Sequence, residues 1–148
     1  MKIHIIYATY SSGTMVVSEL IQHELEQNGN EVTRVNVKDA DPSVLPEYKL
    51  ILLGSPSWLN NQKDGQPHHD YYAFMEKMES VNVENKNFAV FGLGDSAYAR
   101  VCGSVDVLEE FVNKIKGKLI TESLRIDSFY FDQKNNEQKA RDWAHKLG

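Results

Sequence analysis

The chain of 148 residues contains a single cysteine, Cys102, so no disulfide can form within it. That fits a reducing compartment. No apolar run approaches the roughly 20 residues that a bilayer-spanning helix needs. The first residues enter a strand pattern at once, without the charged and apolar blocks of a secretion signal. A cytoplasmic protein with no membrane association is the expectation. Positive charge is not in surplus either: 16 Lys and Arg stand against 21 Asp and Glu, a net charge of −5. A nucleic-acid binder needs a basic face to meet phosphates, so that class is disfavoured. There is no internal repeat, low-complexity tract or linker, and the length suits one domain over residues 1–148, expected as a monomer.

What is present is an alternation of two periods. Residues 2–8 (KIHIIYA) read as a buried strand. A helix fits from Thr14 to Asn28, with Val17, Leu20, Ile21 and Leu25 on one face and Asn28-Gly29 as its stop. Residues 31–37 (EVTRVNV) alternate as an edge strand through Thr33, Val35 and Val37. Asp41-Pro42 and Pro46 punctuate a connection without a readable period. LILLG at 50–54 is continuous and apolar, as a central parallel strand is.

Residues 55–66 (SPSWLNNQKDGQ) read as a long polar loop. A helix follows Pro67, with Tyr71, Phe74, Met75 and Met78 at helical spacing. FAVFG at 88–92 is another buried strand, followed by a second long loop. The next helix buries Val105, Leu108, Phe111, Val112 and Ile115 and stops at Gly117. A split strand falls in 118–126, and a last helix carries Ala140, Trp143, Ala144 and Leu147 on one stripe. This is an α/β pattern: a doubly wound five-stranded parallel sheet of order 2-1-3-4-5 with helices on both faces. Ligands of such sheets bind where the carboxyl ends of the first and third strands diverge. Three loops converge there: TYSSGT at 9–14, the loop at 55–66, and the loop that begins GLGDSA at 92–97.

TYSSGT has neither the lysine nor the spacing of a triphosphate loop. Thr9, Ser11, Ser12 and Thr14 with the amides of a helix N-terminus suit one phosphate monoester. They equally suit a helix N-cap with spare hydroxyls. GLGDSA matches the spacing of a dinucleotide fingerprint, but it follows the fourth strand, the helix begins only near Cys102, and Asp95 would face a pyrophosphate. Trp58 and Tyr98 sit on converging loops and could sandwich a planar ring, each stack worth about 0.5–1.5 kcal/mol. The adjacent pair His68-His69 has no companion set of ligand spacing, so a solvated helix start is the better reading and no metal is expected. Cys102 has no partner cysteine or nearby histidine and reads as structural.

Together these residues resemble the flavodoxins. That family carries Thr/Ser-x-Thr/Ser-Gly-Asn-Thr after the first strand, Ser/Thr-Trp after the third, and Gly-x-Gly-Asp-Ser-x-Tyr-x-x-x-Cys after the fourth. Residues 92–102 match the last pattern in full, and GSVDVLEEF with LRID at 124–127 resembles the short-chain branch. The resemblance implies bound FMN and a low-potential one-electron carrier that cycles semiquinone and hydroquinone, without catalytic residues. A reductase as donor and a low-potential enzyme as acceptor would be its partners. Thr9, Tyr10, Ser11, Ser12, Gly13 and Thr14 would hold the phosphate, and Ser57 would add a hydroxyl. Trp58 and Tyr98 would stack on the ring. Leu93, Gly94, Asp95 and Cys102 would frame its pyrimidine edge, and Leu59, Asn60 and Val101 would lie beside it. The alternatives are a small FMN-dependent NAD(P)H or quinone reductase, which NADPH alone would bleach, and a colourless flavin-free module such as a phosphorylation receiver.

The phosphate loop has no cation, and Asp95 lies near the ring, so added negative charge on the flavin is disfavoured. One unit charge about 10 Å away, at an effective dielectric of about 20, is worth roughly 1–2 kcal/mol before screening. Three positions depart from the family pattern. Ser12-Gly13 stands where Gly-Asn is usual. Arg100 and Lys63 add positive charge near the ring, which implies a less negative low-potential couple. Leu59 follows Trp58 where a small residue lets the peptide turn over, and a bulky side chain opposes a turn that needs positive φ. A spectroscopic redox titration is therefore expected to show only a weak neutral-semiquinone band; a strong one would overturn this reading of Leu59.

Overall fold

The computed structural model describes residues 1–9, 13–60, 63–94 and 102–148. In chain order the elements are β1 (Lys2–Tyr7), α1 (Gly13–Gln27), β2 (Glu31–Asn36), β3 (Leu50–Pro56), β4 (Trp58–Asn60), β5 (Lys63–Gln66), α2 (Asp70–Met78), β6 (Asn87–Gly94), α3 (Gly103–Lys114), β7 (Lys118–Leu119), β8 (Leu124–Asp127) and α4 (Gln133–Leu147). The main sheet runs β2-β1-β3-β6, and β7 and β8 share the fifth position, both parallel to β6. This is the expected 2-1-3-4-5 order with its split last strand.

Period-2 alternation in the strands builds two cores. Leu50 and Leu52 of β3 and Ala89 and Phe91 of β6 face α1 and α4, where Val17, Ile21, Leu25, Ala140, Trp143 and Leu147 meet them. Ile51, Leu53, Phe88 and Val90 point the other way, to Tyr71, Phe74 and Met78 of α2 and to Val105, Leu108 and Val112 of α3. Burying each such side chain stabilises the fold by about 1.5–3 kcal/mol. Both faces of the central strands are covered, which is why their sequences are continuously apolar.

The helix ends follow local chemistry. After α1, Gly29 takes φ +90°, and the Asn30 N–H returns to the Leu25 carbonyl at 3.1 Å. The unreadable connection before β3 contains two 3-10 turns, Val37–Asp39 and Pro42–Glu47. Asn36 and Asp41 cap them by accepting from the Lys38 and Ser43 amides at 3.1 and 3.0 Å. Asp41-Pro42 was the signal, a capping residue before a first-turn proline.

The expected long loop at 55–66 is a correction. β3 continues through Pro56, and β4 and β5 form a small antiparallel hairpin with Trp58 opposite Gln66. Polar composition hid it, because this hairpin lies outside the main sheet and has no apolar stripe to read. Its anchor is a glycine contact: a Cβ at Gly103 would lie 2.7 Å from the Gly65 carbonyl oxygen. The absence of a side chain at the head of α3 lets the hairpin rest there.

The carboxyl ends of β1 and β3 are joined from below by Tyr71. Its hydroxyl accepts from the Gly54 N–H at 3.0 Å and lies 2.9 Å from both the Ile6 and Gly54 carbonyl oxygens, which share its proton. The side chain is fully buried, and burial pushes its pKa up, so it stays a donor. Tyr71→Phe would leave backbone groups unpaired in the core. It is expected to destabilise by about 1–3 kcal/mol, seen as a lower urea midpoint with an unchanged slope.

Candidate functional site

The first loop leaves β1 at the edge just described. The Ala8 N–H donates to the Gly54 carbonyl at 3.0 Å, so the chain turns away only at Thr9. Helix α1 begins at Gly13. Thr9 Oγ1 and Thr14 Oγ1 are both buried, and neither has a hydrogen-bond partner. A buried hydroxyl left unpaired costs about 1–3 kcal/mol. Two of them at the ends of one loop, beside a helix N-terminus, fit an anion that supplies acceptors from outside the chain. An N-cap would instead consume the hydroxyl on a helical amide, and neither threonine does so. Tyr10, Ser11 and Ser12 lie outside the described residues.

Gly13 explains one departure from the family pattern. A Cβ there would lie 3.0 Å from Leu93 Cδ2 and 3.6 Å from Tyr130 Cε2. The head of α1 packs directly on the end of β6 and on the turn after β8, with little space for the asparagine usual at that place. The cation lying against α1 is already committed. Arg34 donates to Gln22 at 2.9 Å and Ser18 at 3.3 Å, and its guanidinium lies 3.5 Å from the Glu19 carboxylate. The cradle is thus made of neutral donors.

Ser57 follows β3 and is tied to the neighbouring strand by its N–H, which donates to the Leu93 carbonyl at 2.8 Å. Its hydroxyl turns to the head of α3: it donates to Ser104 Oγ at 3.0 Å and accepts from the Ser104 N–H at 3.0 Å. Ser104 in turn donates to the Ser55 carbonyl at 3.2 Å. The Ser57 proton is therefore engaged inside the protein. Ser55 and Ser104, which no sequence motif marked, hold the second loop to the fourth-strand loop. Their hydroxyls next to a predicted glycine-rich turn were the available signal.

Trp58, Leu59 and Asn60 form β4 opposite β5, which begins at Lys63; their side chains lie outside what is described. Asp95, Tyr98, Arg100 and Val101 also fall outside the described residues. The strands and helices that carry these loops do converge, through the contact of Gly65 with Gly103.

Leu93 is 7% exposed and belongs to the core, so its side chain forms a floor. Gly94 closes β6, and a Cβ on it would lie 2.3 Å from the Cys102 nitrogen. That close approach accounts for the second glycine of GLGDSA. The first has a similar reason, since a Cβ at Gly92 would lie 2.5 Å from Val105 Cγ2. Both glycines serve strand-to-helix packing, and α3 starts only at Gly103.

Cys102 takes a left-handed backbone, φ 54° and ψ 30°, just before α3. Its Sγ is turned inward, 3.3 Å from the Ile126 carbonyl oxygen. The neighbours of His68 and His69 depart from the expected solvated helix start. His68 is 7% exposed, its N–H donates to Ser55 Oγ at 2.9 Å, and its Nδ1 accepts from the Asp70 N–H at 3.0 Å. His69 is exposed and stacks on His68 with ring centroids 4.3 Å apart. Asp70 completes a group of possible ligand atoms within 4.8 Å of one another, but the His68 lone pair is already used by the helix.

A parallel sheet with buried, unpartnered hydroxyls where its first and third strands part defines an α/β protein of the class that binds its ligand at that switch point. The family model described as flavodoxin matches residues 5–143. The probable flavodoxin 2 of Bacillus subtilis is 33% identical over 128 residues, covering 86% of this chain and 82% of its own. The crystal structure of oxidised flavodoxin 2 from Bacillus cereus superposes with a TM-score of 0.86 at 30% identity, over 97% of this chain and 95% of that one. A Fusobacterium nucleatum flavodoxin bound to flavin mononucleotide has the same fold, with a TM-score of 0.83 at 21% identity, covering 99% and 96% of the two chains. This chain belongs to the flavodoxin family of electron-transfer proteins. No helix among the described residues is long and apolar enough to cross a membrane.

Burial pushes the Cys102 thiol up to about 11, from an ordinary 9.0. The proton is held more tightly in the folded state. The stability this gives is fully present below pH 9 and is lost as pH rises toward 11. Labelling with a disulfide reagent at pH 8 is expected to be at least tenfold slower in the folded protein than after unfolding, and to accelerate between pH 9 and 11. Fast labelling at pH 8 would place the thiol outside the core.

Proposed function

We infer that this chain carries single electrons between redox proteins through one bound FMN. The observation that carries this reading is the pair of buried, unpartnered hydroxyls of Thr9 and Thr14. Among the described residues these are the buried side-chain polar atoms left unpaired, and a ligand that accepts hydrogen bonds would satisfy both. A phosphate monoester at the head of α1 supplies several charged acceptors, and hydrogen bonds to charged groups are worth about 1.5–3 kcal/mol each. FMN, when bound, supplies the one-electron redox chemistry.

The chain's own residues would bind and orient the cofactor. Thr9, Ser11, Ser12 and Thr14 donate to the phosphate, and the dipole of α1 favours its charge. Tyr10 and Gly13 contribute backbone to the same loop. Leu93 seals the floor of the cradle, and the Phe129–Tyr130 pair walls it beside Gly13. Trp58 and Tyr98 offer aromatic faces to the ring, with Leu59, Asn60, Val101 and the backbones of Gly94 and Cys102 at its edge and Asp95 beside it. The Ser57 hydroxyl acts at one remove, by holding the Trp58 strand to α3 through Ser104. Residues 9–14 contain no lysine or arginine of their own, which leaves the phosphate charge to act on the flavin.

The protein on this reading is a cytoplasmic, monomeric carrier and not a reductase. It forms one domain over 1–148, with a reductase as donor and a low-potential enzyme as acceptor. Thr14→Val keeps the shape of the side chain and removes the hydroxyl, and it separates the two roles that hydroxyl could have. FMN affinity of the apoprotein is expected to fall about 10- to 100-fold, while apoprotein stability stays the same or rises. Unchanged FMN affinity with lost stability would make Thr14 a cap and remove the support for the cradle.

A further inference from the structure

We propose that the aromatic turn Phe129–Asp132 is a docking knob for a redox partner whose cofactor edge lies in an apolar recess ringed by lysine or arginine. The proposal rests on the carrier reading above and names the surface through which it is exercised.

Phe131 is 91% exposed and Tyr130 is 52% exposed, whereas Phe129 beside them is 4% exposed. Among the described residues the other exposed large apolar side chains are Met1 and Ile120, which lie on other loops and segments. A phenylalanine held in water at this level is disfavoured by the hydrophobic effect unless something covers it. The turn is also held firmly. Ser128 adopts a left-handed backbone, φ 51° and ψ 59°, and the Phe131 N–H closes on its carbonyl at 3.0 Å. Asn136 Nδ2 donates to the Phe129 carbonyl at 3.1 Å, and the Tyr130 ring meets Phe129 edge-on at 4.9 Å. A knob already fixed loses little freedom on docking.

Its place ties it to the site. The Ser128 N–H donates to the Gly94 carbonyl at 2.7 Å, so the turn grows from the end of the strand that floors the cradle. Tyr130 packs on the head of α1 at Gly13. A partner seated on Phe131 therefore stands at the same sheet edge as the cofactor, where electron transfer requires it.

Charge selects the partner. Asp127 and Asp132 bracket the turn. Asp127 Oδ1 accepts from Ser128 Oγ at 2.8 Å, and Asp132 Oδ2 accepts from Asn135 Nδ2 at 2.9 Å. The chain as a whole carries −5. A second copy of this chain would bring like charges together around the same knob, whereas a recess with a cationic rim gains from them.

The test uses cytochrome c as probe, a small basic haem protein with an exposed haem edge. Binding of its redox-inert zinc form to the FMN-loaded, isotope-labelled protein is followed by NMR, and one-electron transfer from the protein, first reduced with dithionite, to the ferric form, which becomes ferrous, is followed by stopped flow. Shift changes are expected to centre on residues 127–132. Phe131→Ala should weaken binding and slow the second-order reaction about fivefold or more, with FMN affinity and unfolding midpoint unchanged. Phe131→Trp should restore both. Asp127→Asn with Asp132→Asn should reduce the salt dependence of the rate. Wild-type behaviour of Phe131→Ala, shifts centred elsewhere, or a dimer in sedimentation that Phe131→Ala dissolves would each overturn the proposal. Failure of the wild-type protein to bind FMN would instead remove the carrier reading itself.

Discussion

The pairing of β1 with β3 is the constraint on which the site depends. Here the chain order of the sheet reverses, so the loops leaving these two strands part company above a shared edge. The Tyr71 hydroxyl holds that edge shut by satisfying backbone groups of both strands. Everything functional is built outward from there. Thr9 begins where the Ala8 amide makes the last bond to Gly54, and Ser57 begins where β3 hands over to the hairpin.

Around that edge the protein is closed by glycine contacts and small hydroxyls. Gly94 against Cys102 and Gly103 against Gly65 each bring one loop base onto another at a distance no side chain would permit, and Gly13 lies tightly against Leu93. Ser55, Ser57 and Ser104 then join the second and third loops. The effect is to spend hydrogen bonds between loops and to leave Thr9 and Thr14 without any. A ligand that pairs those two hydroxyls only in the folded chain would add its binding free energy to folding stability.

Charge is handled in the same way. Arg34 is held by Glu19, Gln22 and Ser18 along the side of α1, and Cys102 is kept neutral by burial. The neutral cradle and the acidic brackets of the 129–132 turn belong to one electrostatic pattern. On the proposed reading, negative charge at that edge opposes further electron density on the flavin and favours a basic partner.

The sheet order, the helix faces and the three loops were legible in the residues because they depend on period and on topology rules. Period-2 runs and i, i+3, i+4 stripes report which side is buried wherever the burial is continuous. The β4–β5 hairpin was not legible, since a polar ribbon held by one glycine contact has no stripe. Nor was the role of Gly13, which looks like a displaced turn glycine until Leu93 and Tyr130 are seen against it. The burial of His68 depends on Ser55, 13 residues away. The sequence by itself determined the fold and the family resemblance, because these are carried by local periodicity and contiguous motifs. Only the tertiary structure decided which hydroxyls are already used and which remain unpartnered, because a hydrogen bond between distant residues depends on packing that no contiguous stretch contains.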